Sequence, residues 1–149
     1  MLRVLSEELT RNFTTLKEKA DPPPYFLSYA VTEQDFAIVS ASFGAITSNS
    51  RSKSGGLDVS VRVGSPKLDN YHRVRGDRGQ FTAGTAVVIE DNPLALKRRL
   101  WMDTDRTYRL AAERLIKIRT NSQVKVQEAD QSDDFSQEEP PSSPSRLRN

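Results

Sequence analysis

The sequence predicts an α+β domain: an antiparallel sheet of about four strands with two amphipathic helices, in the order α-β-β-β-β-α, and a disordered C-terminal tail. Three observations predict it. Apolar residues recur every three or four positions near the start of the chain and again after Pro93, and every second position between them. All seven glycines lie between Gly44 and Gly84, so tight turns concentrate in the strand region. Beyond Val126 the chain is rich in Ser, Pro and acid, with Phe135 and Leu147 as its only large apolar side chains. That composition cannot bury enough surface to offset the entropy of ordering it. Residues 1–125 therefore read as one domain with a single core, and residues 126–149 as an acidic tail or truncated linker.

The first helix is marked by Leu2, Leu5, Leu9, Phe13, Leu16 and Ala20, one apolar stripe with most charges off it. Pro22, Pro23 and Pro24 end it, because proline has no N–H for the helical ladder. Tyr25, Leu27, Tyr29 and Val31 alternate as a strand, and Thr32 to Asp35 read as a turn. Ala37, Val39, Ala41 and Phe43 form a second alternating run. Ser48 to Gly56 reads as a polar loop. Leu57, Val59, Val61 and Val63 give the clearest half-buried strand, closed by Gly64 and Pro66. Residues 65–83 read as a long loop, and Thr85 to Ile89 as a short strand. Asp91 or Asn92 can cap the second helix with Pro93 in its first position. Leu96, Leu100, Thr104, Tyr108, Ala111, Leu115 and Ile118 mark its buried face, to about Thr120. The simplest packing puts both helices on one face of the sheet.

Net charge is +2 and decides little; its distribution says more. Basic residues crowd the second helix from Lys97 to Arg119, and acidic residues without a base run from Glu128 to Glu139. The two segments can attract each other in low salt. The chain has no cysteine, which leaves no disulfide or thiolate chemistry and fits a reducing compartment. No signal peptide and no stretch of about 20 apolar residues is present, so the expected location is the cytoplasm.

Few residues invite chemistry. His72 is the one histidine and reads as a solvated loop residue. One His without Cys does not make the usual zinc site, and no nucleophile or phosphate-loop motif occurs. No catalytic, cofactor-binding or metal residue is assigned. Four residues are candidates for peptide or partner contact. Arg51 and Lys53, among Ser48, Ser50, Ser52 and Ser54, can hold an anion or a peptide carboxylate, against the reading of a plain hairpin loop. Asp69 and Asn70 can bind a partner, against the reading of an Asx turn that turn preferences favour. Trp101 and Tyr108, seven apart on a helix, read as core. The basic face of that helix reads as solvated, with nucleic-acid binding unsupported by any motif.

Six segments carry a resemblance: PPPYFLSY, SASFGA with the SRS after it, LDVSVRVG, KLDN, DNPLALKRRLW with TDRTY, and DFSQEEP. In that order and spacing, over about residues 1–140, the chain resembles the N-terminal domain of the TldD/PmbA family, metallopeptidases also called modulators of DNA gyrase. The resemblance implies an α/β unit with flanking helices that supports a separate catalytic domain and its peptide cleft. In the family that other domain holds the zinc, on an HExxxH helix with a further downstream ligand, and this chain has no counterpart of those residues. The implied partners are such a catalytic domain or a paired subunit, and an extended peptide. The family's DFSQEEP-like segment leads into the rest of the protein, so the resemblance implies a truncated or split peptidase. The rival expectation is a free-standing module that binds an acidic or nucleic-acid partner through helix 97–119.

Overall fold

Both helices lie on one face of an antiparallel sheet in the computed structural model, which describes residues 1–74, 84–87, 92–124, 133–136 and 138. The elements are α1 (Leu2–Lys19), β1 (Pro24–Ser42), β2 (Ala45–Ser65), β3 (Leu68–Asp69), β4 (Thr85–Val87) and α2 (Pro93–Val124). The order α-β-β-β-β-α and the α+β class are those expected, but the four strands are cut differently. The two runs read as separate strands at 25–31 and 37–43 are one strand, β1, with no turn at Thr32–Asp35. The segment read as a loop, 48–56, is the outer half of β2. β3 lies inside the stretch read as a long loop. Ile89 and Asp91 lie outside the described residues, as does most of the expected tail.

β1 and β2 pair in register from Leu27↔Val61 to Ser40↔Ser48 and turn over at Phe43 and Gly44. Both turn residues have positive φ, 50° and 81°, the pattern of the two-residue turn whose twist matches its strands. β3 pairs with β2 at Gly64 and Ser65, and β4 pairs with β2 at Gly55 to Leu57.

Odd-numbered residues of the hairpin base face the helices. Leu27, Leu57, Val59, Val61 and Val63 pack with Val4 of α1, Val87 of β4, and Leu100, Ala111 and Leu115 of α2. Asn92 caps α2 by accepting the Ala95 N–H (3.1 Å), with Pro93 next to it as expected. The expected face of α2 is the buried one, but Trp101 is not core: it is 56% exposed, off the buried line of Leu100 and Thr104.

The buried line of α1 is shifted from the expected stripe. Val4, Glu8 and Asn12 are buried, Leu5, Leu9 and Phe13 flank them, and Leu2 is exposed. A polar network explains the shift. Asn12 Nδ2 donates to the Tyr29 hydroxyl (2.9 Å), which shares a hydrogen with Thr104 Oγ1 (2.6 Å). Glu8 is offset by Arg11 and by Lys97 of α2. Buried polar groups persist where such partners exist.

Candidate functional site

Two features stand out from this frame, a buried cluster at the base of the hairpin and an exposed arm at its far end. The cluster centres on Asp69, whose side chain is fully buried. β3 brings it against β2 through the two-residue link Pro66–Lys67. Its Oδ1 accepts the Tyr71 N–H (2.6 Å), which is the Asx-type turn that the turn preferences favour. Its Oδ2 accepts the Tyr25 hydroxyl and one Arg62 nitrogen. Asn70 does a different job. Its side-chain carbonyl accepts the Val63 N–H (2.8 Å) and its amide donates to the Val61 carbonyl (3.1 Å). One side chain thereby satisfies the backbone edge of β2 as a neighbouring strand would. Arg114 of α2 donates to the Asn70 carbonyl (2.7 Å) and fastens this corner to the helix.

Asp134 and Phe135 return to the same cluster from the segment expected to be disordered. The Asp69 N–H donates to Asp134 Oδ2 (3.0 Å), and Asp134 Oδ1 lies 2.9 Å from His72 Nδ1. The Phe135 N–H donates to the Pro66 carbonyl (3.0 Å). The Phe135 ring stands edge-on to Tyr25 and tilted to Phe26, centroids 5.9 and 5.2 Å away. The Arg62 guanidinium lies between Tyr71 and Phe135, 4.0 and 4.6 Å from the two ring centres. Such cation–ring contacts add to the ion pair. The expectation of disorder is corrected for Asp133–Ser136 only; composition hides a docked tetrapeptide when its partners lie far away in sequence.

Of the four candidate contact residues, Asp69 and Asn70 are buried here and spent on their own chain. Arg51 and Lys53 are exposed on β2, and Arg51 pairs with Asp35 of β1 (2.9 Å) rather than standing in a loop. Thirteen residue steps along β2 separate Arg51 from Gly64, roughly 40 Å at the usual rise, so the two pairs cannot share one small ligand. His72 is half-buried and bound to Asp134, not a solvated loop residue. Tyr25, Arg62 and Phe135, not singled out from their residue types, complete the cluster.

A shallow cleft of about 70 Å³ opens between β2 and α2, lined by Val59, Val61, Thr85, Asp103, Arg106 and Arg114 among others. Thr85 donates to Asp103 across it (2.6 Å). Among the described residues, no group of three or more His, Cys, Asp or Glu is arranged to hold a metal ion. Among them too, no helix is long and apolar enough to cross a membrane.

Burial and the Asp69 carboxylate push the Tyr25 phenol well above its ordinary value. Burial also raises Tyr29, partly opposed by its Thr104 and Asn12 hydrogen bonds, and raises Tyr108, helped by the charge of Asp21. A group whose folded pKa is raised contributes stability that is whole below its unfolded value, about 10 for tyrosine, and is lost as pH climbs through the folded value. Stability is therefore expected to hold to about pH 10 and fall above it. Absorbance at 295 nm checks this: these three tyrosines should stay protonated in folded protein past about pH 10 and ionise as it unfolds. A single step at about pH 10 with the fold intact would refute it.

The arm is the second feature. Every residue from Thr32 to Ser54 is exposed, including Phe36, Ile38, Val39, Phe43 and Ile46. From Phe36 to Ser50 it carries no charge. Comparison with models of known protein families, with curated proteins and with solved structures gives no match.

Proposed function

We propose that this chain serves as the non-catalytic N-terminal domain of a TldD/PmbA-type zinc metallopeptidase, supporting a catalytic domain and the peptide cleft beside it. One observation carries the reading. Four of the segments that carry the resemblance, PPPYFLSY, LDVSVRVG, KLDN and DFSQEEP, meet in one cluster through Tyr25, Arg62, Asp69 and Asp134. Residues 7 to 109 positions apart gain a common reason to occur together, since they build one structural unit. The cluster also anchors Asp134 and Phe135, in the segment that in the family leads toward the catalytic domain. Zinc belongs to that other domain in this reading. Here Asp69, Asp134 and His72 are the ligand types that gather, and Asp69 is already taken by Arg62, Tyr25 and the Tyr71 N–H. The reading includes a cytoplasmic location and partnership with a catalytic domain or a paired subunit.

The rival, a module binding an acidic or nucleic-acid partner through helix 97–119, has less support. Arg99 pairs with Asp103 one turn on and Arg109 with Asp105 one turn back, Lys97 pairs with Glu7, and Arg114 holds the Asn70 carbonyl.

The test mixes the purified chain with a zinc-loaded TldD/PmbA-type catalytic domain and follows association by calorimetry and cleavage of an unfolded peptide. Binding at micromolar concentration, weakened about tenfold or more by the double change Asp134→Ala and Phe135→Ala, is expected. Absence of association at about 100 μM would remove the reading.

A further inference from the structure

The arm ends in a residue that its own chain gives no return. Phe43 sits at φ 50°, a left-handed conformation costly for a side chain of its size, and its ring is fully exposed. Beside it runs a long unpaired edge, because among the described residues β1 pairs with β2 alone. Exposed, uncharged, apolar strand edges are sites of pairing with another chain.

Register shows which backbone groups the edge offers. The Val61 carbonyl and the Val63 N–H point away from β1, where Asn70 bonds them. Residues opposite one another in an antiparallel pair both point inward or both outward. Leu27, opposite Val61, therefore presents its groups to the free side of β1, and the alternation repeats at Val31, Glu33, Asp35, Ala37 and Val39. Phe36 and Ile38, even-numbered, carry their side chains on the face turned away from the core.

We propose that this edge pairs with the same edge of a second copy of the chain, antiparallel and centred on Ala37. A two-fold axis through such a pair sets one residue against its own copy, an outward-pointing residue at a hydrogen-bonded position or an even-numbered one at a non-hydrogen-bonded position. Charge and shape choose among the centres on the arm. Centring on Phe36 sets Ile38 against Gln34, and centring on Ile38 sets Phe36 against Ser40, so each matches only one apolar side chain with its own copy. Centring on Asp35 sets Asp35 against Asp35, like charges face to face. Centring on Val39 sets Phe36 and Ile38 against Ser42 and Ser40. Centring on Ala37 sets Phe36 of each copy beside Ile38 of the other, in the non-hydrogen-bonded position where side chains come closest. It also sets Asp35 beside Val39 and Glu33 beside Ala41, so no like charges meet. The arms overlap from Val31 to Phe43, which brings the strained Phe43 of each copy alongside the base of the other's arm. The bodies lie at opposite ends and do not collide. An edge contact of this size sits below the area of a tight complex, so the dimer forms in the micromolar range.

The proposal is independent of the peptidase reading and is tested on the full chain by sedimentation equilibrium. A monomer–dimer equilibrium with a Kd of about 1–100 μM is expected. Ala37→Pro removes an outward N–H and leaves the β1–β2 ladder its bonds; it should weaken the dimer about 100-fold or more with an unchanged far-UV spectrum. With no native cysteine, Ala37→Cys should cross-link on oxidation, while the equally exposed Ser50→Cys on β2, three strand spacings from its mate, should not. The cross-linking result decides the matter if the proline variant misfolds. A monomer at every concentration, a dimer indifferent to Ala37→Pro, or equal cross-linking of both cysteines overturns the proposal. A monomer that binds extended peptides through this edge overturns it as well, in favour of a peptide as the occupant.

Discussion

Asp69→Ala should destabilise the chain by about 3–5 kcal/mol, the range for removing one partner of a buried ion pair. Arg62 is only 16% exposed at its side chain and would keep its charge with no carboxylate beside it. The Tyr71 N–H and the Tyr25 hydroxyl would lose their acceptor in the same change. A domain of ordinary stability has about 5–15 kcal/mol in hand, so this single side chain decides whether the base of the sheet holds. In urea the midpoint should fall by about 2 M at a typical slope. Asp69→Asn keeps an oxygen for the Tyr71 N–H but not the charge, and should fall between. The double change Asp69→Ala with Arg62→Met separates causes. If the orphaned guanidinium dominates, the pair costs clearly less than the sum of the singles. A loss below about 1 kcal/mol in Asp69→Ala would mean that Phe135 and Asn70 hold the corner without it.

Periodicity made the two helices and the inner halves of the strands readable, because those parts bury one face. Leu57, Val59, Val61 and Val63 announced a strand by alternation and are buried as read. Leu100, Ala111, Leu115 and Ile118 did the same for α2. The outer hairpin was misread for the converse reason. Its sides are all exposed, so TEQD and SNSRSKSGG satisfy a strand's needs through backbone pairing alone, and their polarity looked like loop. Gly44 marks the true turn, but a Phe before it is not the residue such a turn usually takes. Glu8 and Asn12 were hidden because buried polar side chains depend on Tyr29, Thr104 and Lys97, none of them near in sequence. The Asp69 cluster was not legible from any local pattern. Nothing local in KLDN or DFSQEEP says that Asp134 lies against the Asp69 N–H, 65 residues away.

Gly64 is where the strands, the cluster and the second helix converge, and Gly64→Ala should cost about 3–5 kcal/mol from backbone strain and overpacking together. Its φ of 107° is a conformation that residues with a Cβ rarely adopt. A Cβ built there would stand 2.6 Å from the Leu68 carbonyl oxygen and 3.2 Å from Leu115 Cδ1. The first of these is backbone, held by the β2–β3 pairing, and cannot swing aside as a side-chain tip would. Two other glycines of the hairpin divide the cause. Gly44 has φ 81° with nothing within 4 Å of a Cβ, so Gly44→Ala meets strain without a clash and should cost about 1–2 kcal/mol. Gly56 has neither a positive φ nor a neighbour within 4 Å, so Gly56→Ala should be neutral or slightly stabilising. Chemical unfolding of the three variants should rank them 64, then 44, then 56. If Gly44→Ala costs as much as Gly64→Ala, conformation alone governs both sites, and the close approach of Leu68 to β2 is not what requires glycine there.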